Sequence, residues 1–284
     1  MSLFNKFIKR TNEDGLAESL SRTLDFLQVR FKIKFTKTLL KIKCLFKQSP
    51  FAVRHGKFKF NFNNDGDYEE ILYHALWDKY FLKEKNKIRQ FVKSSDVVID
   101  VGANIGLFSL ILSDLVGDIG KVYSFEPIPM LHRKLVNNIR INNVNNIETI
   151  EKGIGNSESE IEIFMNPEQS GLSSAVVKPS GKFISQKIKL TSLDNFFSSR
   201  KEKISFIKID TEGYEPQVLI GAKGLIKRDK PIIYIELGGD HQKTSAESLK
   251  ILKELNYTCE ADNIDLSKIY AGVNFIATPE DKVN

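Results

Sequence analysis

Residues 97–109 read VVIDVGANIGLFS: a β-branched run carrying Asp100 at its end, a turn through Gly102 and Gly106, and then an apolar stretch with helical spacing. The run predicts a buried strand, and the two glycines predict a tight strand-to-helix joint where backbone can come close to a ligand. A plain βα joint would also explain two glycines. The spacing D-x-G-x-x-x-G departs from the dinucleotide fingerprint G-x-G-x-x-G. A carboxylate so near the turn would repel a pyrophosphate, whereas it suits a ligand carrying ammonium and sulfonium charges. The turn therefore favours S-adenosylmethionine over a nicotinamide dinucleotide.

Working outward, short β-branched runs alternate with helix-length amphipathic runs, the pattern of βαβ units and a parallel sheet. The predicted strands are VVIDVG (97–102), KVYSFEP (121–127), IETIEKG (147–153), FIKID (206–210) and IIYIEL (232–237). YTCEA and AGVNFIA close the sheet, one of them antiparallel at its edge. Between the strands, LFSLILSDLV, PMLHRKLVNNIRI, PQVLIGAKGLI and AESLKILKEL have helical spacing. The Asn-rich tract NNIRINNVNN reads as helix ends and loops. Residues 157–191 carry ESEIEIFM and KFISQKIKL, which alternate with period two and predict an inserted β-hairpin region able to shape a substrate pocket.

Open α/β sheets bind ligands at the carboxyl ends of their strands, so the strand-end residues are the candidate site. The second strand ends in Glu126, where an acid accepts hydrogen bonds from ribose hydroxyls; the plainer alternative is a solvated carboxylate. The third strand leads into GIGN, so Ile154 and Asn156 could flank the adenine. The fourth strand and its turn, FIKIDTEGYEPQVLIGA, gather Lys208, Asp210, Glu212 and Glu215, and period two puts Lys208 and Asp210 on one side. Lys208 could equally be a buried lysine satisfied by an ion pair. Glu236, near the end of the fifth strand, joins Lys208 and Glu215 as an acceptor-binding candidate. His241 follows in ELGGDHQ at the same edge, where a lone loop histidine is otherwise simply solvated.

These motifs, DVGANIG, then FEP, then KIDTEGYEPQVLIGA, resemble the FkbM-type S-adenosylmethionine-dependent methyltransferases over approximately residues 80–240. The resemblance implies a class I methyltransferase fold, a Rossmann-like, mostly parallel seven-stranded sheet with helices on both faces, and O-methylation of a hydroxyl on a sugar, glycan or related metabolite. It also implies that Asp100, Gly102, Asn104 and Gly106 line the cofactor turn, that Glu126 holds the ribose, and that Asp210, Glu212 and Glu215 belong to the active-site edge. The sequence departs from the family where Tyr80, Phe81 and Leu82 stand in place of a Tyr-x-Glu pattern. Glu84 is the nearest carboxylate downstream.

Methyl transfer to a hydroxyl needs positioning and a base that takes the proton. Asp210 or Glu212 are the candidates, with His241 second. A carboxylate pair could instead hold a divalent cation, but no full ligand set is visible and no metal is expected. Methylation of nucleic-acid amino groups would call for an Asn/Asp-Pro-Pro-aromatic motif where this chain reads IDTEGYE. A catalytically silent scaffold and a nicotinamide-dependent dehydrogenase are the remaining alternatives.

The formal charge of +6 is unevenly spread. Residues 1–60 hold 14 Lys and Arg against 4 Asp and Glu, net +10, which leaves 28 against 32, net −4, for the remainder. The chain thus divides into a basic, mainly helical extension (1–60) and a methyltransferase domain (61–284), and the acidic body disfavours a nucleic-acid partner. In the extension, Leu16, Leu20, Leu24, Leu27, Phe31, Phe35, Leu39, Ile42 and Phe46 form one apolar helical stripe beside Arg22, Arg30, Lys34, Lys37 and Lys41. Such a helix, across residues 16–47, could lie on anionic lipid or pack on protein. No apolar run spans a membrane and no signal peptide opens the chain, which reads as cytoplasmic, with peripheral membrane attachment through that helix. Cys44 and Cys259 suggest neither a disulfide framework nor a zinc site.

Overall fold

The computed structural model describes residues 51–62, 78–166, 169–174, 184–238, 241–266 and 272–282. The basic helix expected across residues 16–47, and Cys44, lie outside the described residues. A hairpin of β1 (Phe51–His55) and β2 (Phe58–Phe62) comes first, then α1 (Asp78–Ile88). The alternating region runs β3 (Val97–Val101), α2 (Leu107–Val116), β4 (Lys121–Phe125), α3 (Pro129–Ile141) and β5 (Ile147–Ile150). Four strands follow, β6 (Gly153–Ile154), β7 (Ser159–Asn166), β8 (Gln169–Ser174) and β9 (Ile184–Thr191), and then the short helix α4 (Leu193–Phe196). The chain continues through β10 (Ile204–Ile209), α5 (Glu215–Ile220), α6 (Lys223–Asp229) and β11 (Ile232–Gly238). It closes with α7 (Gln242–Glu254), β12 (Tyr257–Cys259) and β13 (Gly272–Pro279).

Seven strands form one sheet in the order β12-β13-β11-β10-β3-β4-β5. β10, β11, β3, β4 and β5 pair in parallel, while β13 runs antiparallel to both β11 and β12. This is the class I methyltransferase arrangement, and its topological switch lies between β3 and β10, where ligands bind in open α/β sheets.

Period-two alternation splits the strand residues between two cores. Val98, Val122, Phe206, Tyr234 and Ile276 face α1, α2 and α3. Ile99, Tyr123, Ile207, Ile233 and Ile235, one position on, face the opposite side with residues of α4 to α7. Burial on both faces explains why these strands read as continuous apolar runs rather than alternating ones. Among the described residues, no helix is long and apolar enough to cross a membrane.

The expected insertion is larger than a hairpin. β6, β9, β7 and β8 form a separate four-stranded sheet, and Ile163, Ile188 and Leu190 anchor it in the first core. The third predicted strand, 147–153, is two elements: β5 stops at Ile150, and β6 pairs with β9 instead of the main sheet. A boundary at residue 60 runs through β2, whose Phe58 and Phe60 are buried in the first core.

The Asn-rich tract is a docking device as well as a helix end. Asn138 Oδ1 accepts the Asn61 amide at 3.0 Å, and Asn142 brackets Lys59, accepting its amide at 2.8 Å and donating to its carbonyl at 2.7 Å. One turn apart on α3, the two side-chain amides satisfy backbone groups of β2 much as another strand would. Asn138 also donates to the Ile105 carbonyl at 2.9 Å, which ties the hairpin to the β3–α2 turn. Asn138 is fully buried, so Asn138→Ala should leave a donor and an acceptor unmet and lower unfolding stability by about 2–4 kcal/mol, read from urea denaturation. A loss no larger than that of Asn142→Ala, whose contacts are more exposed, would remove Asn138 from this role.

Candidate active site

The turn after β3 is built on three left-handed residues, Gly102 (φ 78°), Asn104 (φ 51°) and Gly106 (φ 95°). Its amides are committed: Gly102 and Ala103 both donate to the Phe125 carbonyl at 3.0 Å, and Asn104 donates to Glu126 Oε2 at 2.8 Å. Glu126 takes the Ile128 amide on its other oxygen at 2.9 Å. One carboxylate therefore clamps the ends of two neighbouring strands, and each oxygen keeps a second lone pair. Burial pushes the Glu126 carboxyl up to about 7 despite the two amide donors.

Gly102 is required for a reason different from ligand approach. A side-chain carbon there would overlap the backbone carbonyl of Asp210, because the end of β10 lies directly against the turn. Gly106 packs in the same way on the Leu135 side chain of α3.

Beneath the turn lies a charge cluster built on a buried ammonium. Lys208, 2% exposed, is 3.1 Å from Asp210 Oδ2 and 3.5 Å from Asp100 Oδ1, and its ammonium sits 4.7 Å from the centre of the Phe108 ring. Burial opposes the ammonium, but the flanking carboxylates outweigh that effect and raise its pKa. Asp100 accepts from the Ser109 hydroxyl at 2.6 Å, and Ser124 in turn donates to Ser109 at 2.9 Å. Burial raises the Asp100 pKa against the pull of Lys208.

Above the cluster the carboxyl edge opens. Asp210 has 27% of its side chain exposed and Glu212 34%, and Glu236 is half-buried. Asp210, Glu212 and Glu236 bring one oxygen each within 4.8 Å of the others, an arrangement that could hold a cation. Burial opposes the charge of Asp210, but the Lys208 ammonium beside it holds its pKa down. The Asp210 charge and burial together push Glu236 up to about 10. Glu212 adopts a left-handed backbone (φ 52°), and its Oε2 lies 3.6 Å from His241 Nε2. Gly213 (φ 97°) leaves room for that imidazole.

The structure thus brings together Lys208, Asp210, Glu212, Glu236 and His241 at one edge, with Gly102, Asn104, Gly106 and Glu126 in the adjoining crevice. Three predicted site residues are placed otherwise. Asp100 is fully enclosed and acts from beneath the turn through Lys208 and Ser109, not on its surface. Glu215, expected to bind the acceptor, is 3% exposed and accepts the Thr211 amide, the Thr211 hydroxyl and the Gly213 amide at 2.9, 2.9 and 3.1 Å. It is the staple of the loop, because an acid in the first turn of a helix caps the amides just before it. Ile154, 2% exposed, belongs to the second core, while Asn156 beyond it is exposed. Glu84, downstream of the departure at Tyr80–Leu82, is buried on α1. Unforeseen were Ser109, Ser124 and Phe108 around the buried charges, and Gly272 and Asn274 beside Glu236. The visible signal for the first group was serine inside an apolar helix, LFSLILSDLV.

A family profile described as the methyltransferase FkbM domain matches residues 100–259, more than half of the chain. "Methyltransferase sdnD" of Sordaria araneosa is 25% identical over 158 residues, 45% of this chain and 61% of that protein. "Methyltransferase 1" of Beauveria bassiana is 22% identical over 143 residues, 44% and 57% respectively. The matched region spans about three fifths of these curated relatives. The crystal structure of methyltransferase FkbM from Methylobacillus flagellatus superposes with a TM-score of 0.46 at 18% identity, covering 75% of this chain and 53% of that one. With the glycine turn and the KIDTEGYEP edge both inside the matched region, the chain belongs to the FkbM methyltransferase family.

Proposed function

We propose that the protein is an S-adenosylmethionine-dependent O-methyltransferase acting on a hydroxyl of a sugar, glycan or related metabolite, with Asp210 as the base. The observation that carries the reading is the partly exposed Asp210 carboxylate, fixed by Lys208 and set against the glycine turn at the switch point of the sheet. The cradle fits this cofactor on its own chemistry. No basic side chain lies on the turn to meet a pyrophosphate, and Glu126 stands where ribose hydroxyls are accepted.

When bound, S-adenosylmethionine supplies a methyl group already activated on a sulfonium sulfur, so the protein contributes mainly alignment and proton acceptance. Glu126 would hold the ribose, and the Gly102–Gly106 backbone would line the rest of the cofactor site. Asp210 is ionised at neutral pH, because the Lys208 ammonium donates to it at 3.1 Å and holds its pKa down. Its exposed edge accepts the acceptor hydroxyl and takes the proton as the oxygen is methylated. Glu212 and His241 border the same opening and provide further hydrogen-bonding groups for a polyol. Three carboxyl groups at the mouth disfavour phosphate-rich acceptors such as RNA.

Calorimetry separates this reading from a silent scaffold, which would show no saturable cofactor binding. Glu126→Gln should weaken S-adenosylmethionine binding about 10- to 100-fold, the worth of one or two charge-assisted hydrogen bonds. The ionised carboxylate is the better ribose partner, and its pKa is raised to about 7. Cofactor affinity should therefore be full above that value and fall as pH drops through it, at up to about tenfold per pH unit. An affinity flat across this range would remove Glu126 from ribose binding. Asp210→Asn should leave cofactor affinity intact yet lower methyl transfer at least about 100-fold, assayed with labelled cofactor on extracts of the protein's own cells. An active Asp210→Asn enzyme would assign the base elsewhere.

A further inference from the structure

Glu212 holds a left-handed backbone conformation, φ 52°, which a residue with a side chain disfavours, and Gly213 follows at φ 97°. The cause lies on either side of it. The Thr211 amide at 2.9 Å and the Gly213 amide at 3.1 Å converge on one oxygen, Glu215 Oε1. Backbone amides of one turn gathered on a single anion form a concave nest, a fold that draws on left-handed residues. Here the anion belongs to the loop itself, because Glu215 is buried beneath it. The Tyr214 amide closes the turn by donating to the Thr211 carbonyl at 3.3 Å. Reversing φ at Glu212 would draw the Gly213 amide off the shared oxygen, so the nest and the conformation of Glu212 stand or fall together.

Thr211 supplies a third donor. Its hydroxyl gives to the same Glu215 oxygen at 2.9 Å. Its methyl reaches toward the cofactor turn, since a side-chain carbon on Gly102 would lie 3.6 Å from Thr211 Cγ2. A β-branched side chain is stiff about χ1, so fixing the hydroxyl on Glu215 also fixes the methyl beside the turn. The two amides hold the Glu215 oxygen along the loop, and the hydroxyl ties it to the residue that abuts Gly102. Glu212, next along the chain, carries the consequence. Its Oε2 lies 3.6 Å from His241 Nε2, and the missing side chain of Gly213 leaves room for that imidazole.

We propose that Thr211 is a positioning residue. Through its hydroxyl on Glu215 it sets Glu212, and with it His241, as a preformed wall for the acceptor at a fixed offset from the cofactor turn. Valine would fill the same space and leave Glu215 its two amides, but it would uncouple the nest from the turn. This inference rests on the methyltransferase reading, with the acceptor lying against Asp210 and Glu212.

The test uses the full-length protein, methyl-labelled S-adenosylmethionine and extract of the protein's own cells as the acceptor source. Thr211→Val should bind the cofactor calorimetrically within about twofold of wild type, while the amount of extract that gives half-maximal transfer rises about 10-fold or more, the worth of a hydrogen bond to a charged group. Thr211→Ser, which restores the hydroxyl, should recover most of that loss. Glu212→Ala should raise the same half-saturating amount, and adding Thr211→Val to it should change nothing further, because both act on one wall. Wild-type half-saturation in Thr211→Val, a serine variant no better than the valine one, or full additivity in the double variant would overturn the proposal, and additivity would make Thr211 a local brace that does not act through Glu212. Weakened cofactor binding in Thr211→Val would reject it as well, by showing general damage to the site. These outcomes leave the methyltransferase reading standing as long as the wild type transfers label. A wild type without saturable cofactor binding would instead fail that reading, and this inference with it.

Discussion

Lys208 places a positive charge inside the protein, 2% exposed, at the point where β3 and β10 meet under the ligand crevice. Removing an ammonium from water costs several kcal/mol, and an isolated one would shed its proton instead. Here Asp100, Asp210, the Gly102 carbonyl at 3.5 Å and the Phe108 ring surround it. The exchange is mutual, because Asp100 is completely enclosed and could not stay ionised without the ammonium. Two strand ends are thereby bound to a common charge, and the position of the Asp210 carboxylate is fixed from below. A hydrophobic substitute could fill the space, but it would leave Asp100 buried without a counter-ion and Asp210 free to swing.

That constraint explains the conformation of the turn above it. The chain must climb from Asp100, under the ammonium, to Gly106, where α2 begins, while β10 presses against it at Asp210. Three left-handed residues in five positions accomplish the climb, and the two glycines stand where a side chain would collide with Asp210 or Leu135. Asn104, the third, tolerates the left-handed region better than other residues with a side chain, and its amide is the one that Glu126 holds.

What could be read in the sequence follows from how far each effect reaches along the chain. Composition and side-chain direction are local, so the strands were legible as short β-branched runs, and the shared side of Lys208 and Asp210 followed from their spacing in FIKID. Strand-end acids were legible too, because an α/β sheet places its ligands there regardless of detail. The side chain that meets each acid was not legible, since it comes from another strand. Asp100 looked like a cofactor contact until Ser109 and Lys208 were seen to enclose it, and Glu215 looked like a substrate group until its three hydrogen bonds to the preceding loop appeared. Glycine shows the same limit. Gly102 is conspicuous in the sequence, but the atom that excludes a side chain there belongs to Asp210, more than a hundred residues away. Asn138 and Asn142 read as helix-end residues because nothing local distinguishes a terminating asparagine from one that pairs with a distant strand.

If Asp210 is the base, its contact with Gly102 bears on how methyl donor and acceptor are aligned. Transfer between two bound groups depends on holding the reacting atoms within a fraction of an ångström, and any joint between the two half-sites spends that precision. In this protein there is no joint. The Asp210 amide donates to the Val101 carbonyl at 3.2 Å, its carbonyl packs on Gly102, and its carboxylate is held by the same ammonium that Asp100 holds from the other strand. The glycine turn and the proposed base are therefore held together by adjacent parallel strands. Their relative position is set when the sheet forms, whereas Glu212 and His241 come from two separate segments, one after β10 and one at the start of α7.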